Sequence, residues 1–151
     1  MQMETVECGA ASLAMVLAYY GKWLSLEQLR ADCGVSRDGC NARNIVLAAR
    51  TYGLKAQGWR AEISDLPDMC PCIIHWRLNQ FVVLKGFTKD KVYLNDPAIG
   101  SIVVSMEEFS LSFTGVVITA EPGPDFKQEG HQTSIFHYIK ENISGASDAF
   151  F

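Results

Sequence analysis

The sequence has no excess of basic charge: 13 Lys and Arg stand against 17 Asp and Glu, giving a net charge of -4 and a pI near 5.3. It has no basic run and no Lys/Arg-rich helix, so the electrostatic footprint of a nucleic-acid binder is missing. No stretch reaches the roughly eighteen apolar residues of a membrane helix, and no charged-then-apolar signal segment opens the chain, which is therefore expected to be a soluble piece. A GxxxxGK[ST] phosphate loop is also lacking, so any use of ATP belongs to a different domain. The five cysteines, Cys8, Cys33, Cys40, Cys70 and Cys72, are odd in number and form no regular disulfide framework, which suits a reducing, cytosolic compartment. Cys70-Pro71-Cys72 lacks the two-residue spacer of the usual redox or zinc half-site, and no second cysteine pair follows. Tetrahedral zinc needs four ligands, so the pair is read as packing at a strand start and no metal is expected.

What the chain does have is length and apolar content enough for one core, with 151 residues and 48% hydrophobic side chains. Its organising stretch is Gln2 to Tyr20, QMETVECGAASLAMVLAYY. Leu13, Val16, Leu17 and Tyr20 fall at the spacing of a buried helical stripe, which places the helix start close to Cys8, with the small Gly9, Ala10 and Ala11 over the first turn. A helix N-terminus offers unpaired N–H groups and partial positive charge, which favour a thiolate and suit a developing oxyanion. A buried structural thiol would produce the same local pattern, since free cysteine is among the most buried residue types.

Further along, Gly21 is a natural helix stop, and Ser25-Leu-Glu-Gln28 has the form of a capping box opening a short helix to about Ala31. Val35 to Gly39 reads as a turn, and Ala42, Ile45, Val46 and Ala49 form a further helical stripe ending at Gly53. The second half changes period. Cys72 to Trp76, Phe81 to Phe87, Val92 to Asn95, Ser101 to Val104 and Gly115 to Ala120 are short β-branched or aromatic runs between polar turns, the signature of an antiparallel sheet. Ser105-Met-Glu-Glu108 is another capping box, opening a helical turn before the last strand. Helices first and sheet second give an α+β domain over 1–121. From 122 to 151 the chain reads as a linker, EPGPDFKQEG, and a tail in which Ser134 to Ile143 has the pattern of a short helix.

Several ordered motifs together resemble one family. A glutamine six residues before a cysteine, ECGAASLAM, a Tyr-Tyr-Gly helix end, the PCIIHW and FVVLKGF strands, NDPAIG at Asn95 to Gly100 and EEFSLSFTGVVI at Glu107 to Ile118 are similar to the bacteriocin-processing cysteine peptidase domains at the front of certain ABC transporters, over roughly residues 1 to 125. The resemblance implies a papain-like fold and a domain that cuts leader peptides of bacteriocin- or lantibiotic-type precursors after Gly-Gly or Gly-Ala. It also implies a place on the cytoplasmic face of a bacterial plasma membrane, and partners in the transmembrane and ATP-binding domains of the full transporter, towards which the tail would lead. With the motif so near the first residue, the sequence reads as a piece of something longer. The chemistry calls for no metal or organic cofactor.

Carried over residue by residue, the resemblance makes Cys8 the nucleophile, Gln2 an oxyanion donor beside the Cys8 backbone N–H, and Asp96 the orienting carboxylate, although an aspartate before proline is also a common turn residue. One residue departs from the pattern. The strand that reads Gln80-Phe-Val-Val-Leu begins in the family with the catalytic histidine, and a glutamine amide cannot take or give a proton near neutral pH. His75, five residues earlier, stands at an odd offset that points it to the opposite face of a hairpin unless the intervening turn alters the register. His131 and His137 fall in the linker and tail. A second expectation therefore stands beside the peptidase: a peptidase-derived module that binds leader or cargo without cutting it.

Overall fold

The computed structural model describes residues 5–32, 41–77 and 80–130, with backbone alone at 5–8 and 32. The Val35 to Gly39 turn and the Ser134 to Ile143 segment lie outside these residues. Three helices come first: α1 (Thr5–Tyr19), α2 (Leu26–Asp32) and α3 (Ala42–Thr51). Strand β1 (Leu54–Arg60) and a 3-10 helix (Ile63–Met69) lead into β2 (Cys72–Trp76), β3 (Gln80–Phe87), β4 (Lys91–Asp96), β5 (Gly100–Ser105), helix α4 (Met106–Ser112) and β6 (Phe113–Pro122). The six strands form one sheet in the order β1-β6-β2-β3-β4-β5, every neighbouring pair antiparallel.

Local chemistry sets the helix boundaries. Ser25 Oγ accepts the Gln28 N–H at 3.1 Å, Asn41 Oδ1 accepts the Asn44 N–H at 2.9 Å, and Ser105 Oγ accepts the Glu108 N–H at 3.1 Å, so each helix start has one of its orphan donors satisfied. Gly21 at φ 96° and Gly53 at φ 92° end α1 and bound α3 in the left-handed region, where a side chain would be strained.

Both faces of the sheet are covered, which explains why β2 and β3 read as nearly unbroken apolar runs. On one face Leu13, Leu17, Ile45 and Ala49 from α1 and α3 pack on Ile73, Phe81, Val83 and Ile118. On the other, Leu66 of the 3-10 helix and Phe109 of α4 pack on Ile74, Trp76, Val82, Leu84, Leu94 and Val117. Phe109 stacks on Phe113 there at 5.5 Å between ring centroids and lies tilted against Trp76 at 5.4 Å.

Two features differ from the sequence expectation. Strand β1 was not foreseen because LKAQGWR buries only Leu54 and Ala56 and carries no alternating signal beyond them. The stretch read as a linker is held against the body of the fold over 122–130. Gly123 donates to Gly53 O at 2.9 Å, the Trp23 N–H donates to Glu129 O at 2.9 Å, Lys22 Nζ meets Glu129 Oε1 at 2.7 Å, and Phe126 joins the core beside Tyr20. A β-carbon on Gly53 would come within 2.8 Å of Phe126 Cα, and one on Gly21 within 2.6 Å of Gln128 Nε2, so both glycines also make room for this strap. Prolines and glycines signal an irregular path, and here that path is a docked one. Among the described residues no helix is long and apolar enough to cross a membrane.

Candidate active site

Two hydrogen bonds tie the helix α1 region to the sheet. Near its C-terminal end Tyr20 Oη donates to Ala120 O of β6 at 3.2 Å, and nearer its start Ser12 Oγ donates to Phe81 O of β3 at 3.0 Å. Eight residues of helix, about 12 Å, thus pass over the two strand spacings from β6 to β3, about 10 Å. The next four residues back, about 6 Å of helix, end at Cys8, the fourth residue of α1. The helix therefore begins about one turn earlier than the apolar stripe alone indicates. Gly9, Ala10 and Ala11 are buried directly behind Cys8, and that small-residue surface lets the first turn lie close to its neighbours.

Gln80 is the first residue of β3, half-buried, and pairs with Trp76. Asp96 is the last residue of β4, one step beyond the Val83–Asn95 pair. Because β3 and β4 are antiparallel, these two positions share one end of the sheet, and the two-residue period gives both the face that carries Val82, Leu84 and Leu94. The body of α1 packs on the other face. Ser12, four residues after Cys8 in α1, is tied to Phe81, the neighbour of Gln80, so that part of the helix lies at the Gln80 end of β3. Gln2 lies outside the described residues.

Asp96 is 7% exposed, and one carboxylate oxygen accepts the Ala98 N–H at 2.9 Å, which ties the Asp-Pro turn together. Burial pushes its carboxyl above the ordinary carboxylate value, against the opposing pull of the Ala98 and Ile99 N–H groups and the Arg77 charge. The turn role and an orienting role are compatible, because a carboxylate has two oxygens and several acceptor sites.

His75 pairs with Phe81, on the face opposite to Gln80, as its odd offset implied. Its Nδ1 is 2.9 Å from Thr114 Oγ1 on β6, and its ring lies tilted against Phe81 with centroids 5.1 Å apart. Burial lowers its pKa below the ordinary imidazole value. His75 thus sits at the Gln80 end of the sheet on the face that carries Phe81, with its ring nitrogen engaged by Thr114 of β6, on the side of β3 away from β4. Cys70 and Cys72 sit beside one another at the start of β2. The hydrogen bond between their thiols lowers the Cys70 pKa and, with burial, raises that of Cys72. Among the described residues no three His, Cys, Asp or Glu side chains gather as metal ligands would.

Two buried polar side chains escaped notice in the sequence. Ser12 stands one helical turn after Cys8, a polar residue inside an apolar helix face. Asn95 stands directly before Asp96. Both have no exposed surface.

The peptidase C39 family model matches residues 1–125. The chain belongs to the peptidase C39 family. The C39 domain is similar in structure to a double glycine motif protease from an AMS/PCAT transporter, crystallised in complex with the leader peptide, at 60% identity over 81% of this chain and 89% of that one, with a TM-score of 0.77. It is also similar to the peptidase domain of Streptococcus ComA, a bi-functional ABC transporter involved in a quorum sensing pathway, at 29% identity over 80% of this chain and 95% of that one, with a TM-score of 0.74. In sequence it is 38% identical over 135 residues to the Escherichia coli colicin V secretion/processing ATP-binding protein CvaB, covering 89% of this chain and 19% of CvaB. The C39 chain thus spans about a fifth of the length of the curated transporters it matches. The resemblance to bacteriocin-processing peptidase domains and the papain-like α+β fold are both borne out.

Proposed function

We propose that this C39 domain processes leader peptides for a peptide-exporting ABC transporter, cutting a ribosomally made precursor after Gly-Gly or Gly-Ala at the cytoplasmic face of the membrane. The observation that carries the reading is the 60% identity, over most of both chains, to a double glycine motif protease crystallised with its leader peptide. Only very small side chains let a scissile backbone enter a narrow cleft beside a helix N-terminus. The transmembrane and ATP-binding domains of such a transporter are the partners.

In this reading the Cys8 thiolate attacks the carbonyl carbon of the second residue of the double-glycine motif, and the following residue leaves as the amine. The tetrahedral oxyanion is held by the Gln2 side-chain amide and the Cys8 backbone N–H in the first turn of α1. Expulsion of the amine then requires a proton, and water must later be deprotonated to release the acyl group from sulfur. Both transfers belong to a histidine held by Asp96, and position 80 carries an amide instead. Gln80 can hydrogen-bond but neither takes up nor gives up a proton near neutral pH. A positioned acid–base group is worth about 10² to 10⁴ in rate.

The second reading follows from Gln80 alone: the domain binds leader or cargo and presents it without cutting. Cleavage of a double-glycine precursor is to be compared for this chain, Gln80→His and Gln80→His with Cys8→Ala. The peptidase reading expects Gln80→His to cut at least about 10²-fold faster near pH 7 to 8, with leader affinity little changed, and Cys8→Ala to abolish cutting. If the parent chain already cuts as fast as Gln80→His, position 80 is not the base position. If Gln80→His binds leader and never cuts, the binding module is the correct reading.

A further inference from the structure

Cys70 and Cys72 take no part in the candidate active site. Cys72 opens β2 and pairs with Leu84, whereas Gln80 pairs with Trp76 at the other end of that strand, about 13 Å away along it. Both thiols are free, and they differ in access: Cys70 is half-buried, while Cys72 is 1% exposed. Cys70 ends the 3-10 helix in an extended conformation, with its Sγ 3.3 Å from Leu66 O, and it packs against the part of the core that contains Cys72.

The accessible thiol borders a cavity of about 360 Å³ walled by Trp59 and Pro71. Lys55 lines the same cavity together with Asp68 and Glu121, so one positive charge stands against two negative ones. Such a lining does not draw in anionic reagents, and what it admits without penalty is a small neutral molecule.

Residues separated by a single position lie at most about 7 Å apart between Cα atoms, close to the 4.4 to 6.8 Å that a disulfide usually spans. The two sulfurs already lie near enough to share a hydrogen bond, which favours the thiolate at Cys70 and keeps the proton on Cys72. An exposed thiolate that reacts first and a covered thiol beside it that reacts second are the two parts of a reversible peroxide-sensitive pair.

We propose that Cys70 is an oxidation site for hydrogen peroxide or a similarly small neutral peroxide, with Cys72 as the thiol that resolves it to a disulfide. In the first step the Cys70 sulfur attacks one peroxide oxygen, the O–O bond breaks, hydroxide leaves and takes a proton from solvent, and Cys70 becomes a sulfenic acid. In the second the Cys72 sulfur attacks the Cys70 sulfur, the S–O bond breaks, and the departing hydroxyl leaves as water with the Cys72 proton. The pair gives up two electrons, and the peroxide is reduced to two waters. Closing the disulfide keeps Cys70 from the irreversible sulfinic stage, which a lone exposed thiol would reach with further peroxide. None of this involves Cys8, Gln80 or Asp96.

The test is peroxide treatment of the full, fully reduced chain, followed by unfolding, alkylation of the remaining thiols and mass spectrometry of the tryptic segment 61–77, which holds Cys70 and Cys72 and no other cysteine. The parent segment is expected to lose two hydrogens, to take up no alkyl group, and to regain both thiols on reduction with dithiothreitol. In Cys72→Val the segment is expected to gain two oxygens at Cys70, which dithiothreitol does not remove. In Cys70→Ser, Cys72 is expected to stay reduced. A parent that accumulates sulfinic acid at Cys70 as fast as Cys72→Val, a parent in which Cys72 remains alkylated after Cys70 is oxidised, or a Cys70 disulfide to Cys8, Cys33 or Cys40 overturns the proposal. The parent measurement needs no substitution, so it decides the matter even if a variant fails to fold.

Discussion

Ser12 is the bolt between the candidate nucleophile helix and the strand that opens with Gln80. Its hydroxyl, with no exposed surface, donates to Phe81 O at 3.0 Å, joining residues 69 apart in sequence. Ser12→Ala removes that bond and leaves a void smaller than a methyl group. A neutral hydrogen bond contributes about 0.5 to 1.5 kcal/mol, and the carbonyl deprived of a partner adds to the loss, so the expected cost is about 1 to 2 kcal/mol. For a domain of this size that corresponds to a melting temperature lower by about 3 to 6 °C. The functional consequence is best read in a Gln80→His background. Helix α1 loses its tie one turn behind Cys8, and small misplacements of reacting groups are costly in rate. A several-fold fall in kcat with KM nearly constant is expected. Paired thermal melts and precursor-cleavage kinetics decide it. An unchanged melting temperature would show that the bond contributes nothing net, and a loss carried by KM alone would show that Ser12 serves leader binding rather than the alignment of Cys8.

Glu129→Gln should destabilise the fold by about 1 to 2 kcal/mol in urea unfolding, less than a fully buried pair costs because the Glu129 side chain is 56% exposed while that of Lys22 is 7% exposed. Lys22→Met with Glu129→Gln should recover most of that loss, and two independent, additive losses would show that the strap is not held by this pair. Asp96→Asn should be more stable than the parent at about pH 7, with the gap closing on acidification. Burial raises the carboxyl pKa in the folded state, so its stabilising, protonated form is fully present below the ordinary carboxylate pKa and is lost as pH rises through the folded value. Melting curves across that range check the sign, and a gap that widens on acidification would contradict it.

The helix and strand pattern was legible in the sequence wherever a local signal existed. The Ser25, Ser105 and Gly21 punctuation fell where the helix ends are found, and the Cys72 to Trp76 strand was matched residue for residue. Strand β1 was not legible because its register is imposed from outside. LKAQGWR pairs along its whole length with β6, some sixty residues later, and without that partner nothing marks it as a strand. The strap at 122–130 was misread for the same reason: its anchors are backbone groups of Gly21, Trp23 and Gly53, invisible in composition. At the site, the shared sheet end of Gln80 and Asp96 could be foreseen from the motif order. The burial of Ser12 and Asn95 could not, since it is set by packing between segments distant in sequence.

The strand order has a consequence for how the chain is made. The last strand, β6, is inserted between β1 and β2, so the sheet is closed in its middle by its final segment. Until residues Phe113–Pro122 are available, β1 with α3 on one side and the β2 to β5 meander on the other have no hydrogen-bonded seam between them. Such long-range pairing is entropically slow, and domains emerging from the ribosome fold as units once their final element is free. The core beneath α1 includes Ile118 and Ala120, so the helix that bears Cys8 cannot settle fully until then. A nascent chain would therefore complete the core beneath α1 only after β6 has been synthesised. Termination just before β6 would leave α1 resting on β3 with the Ile118 and Ala120 part of its core missing.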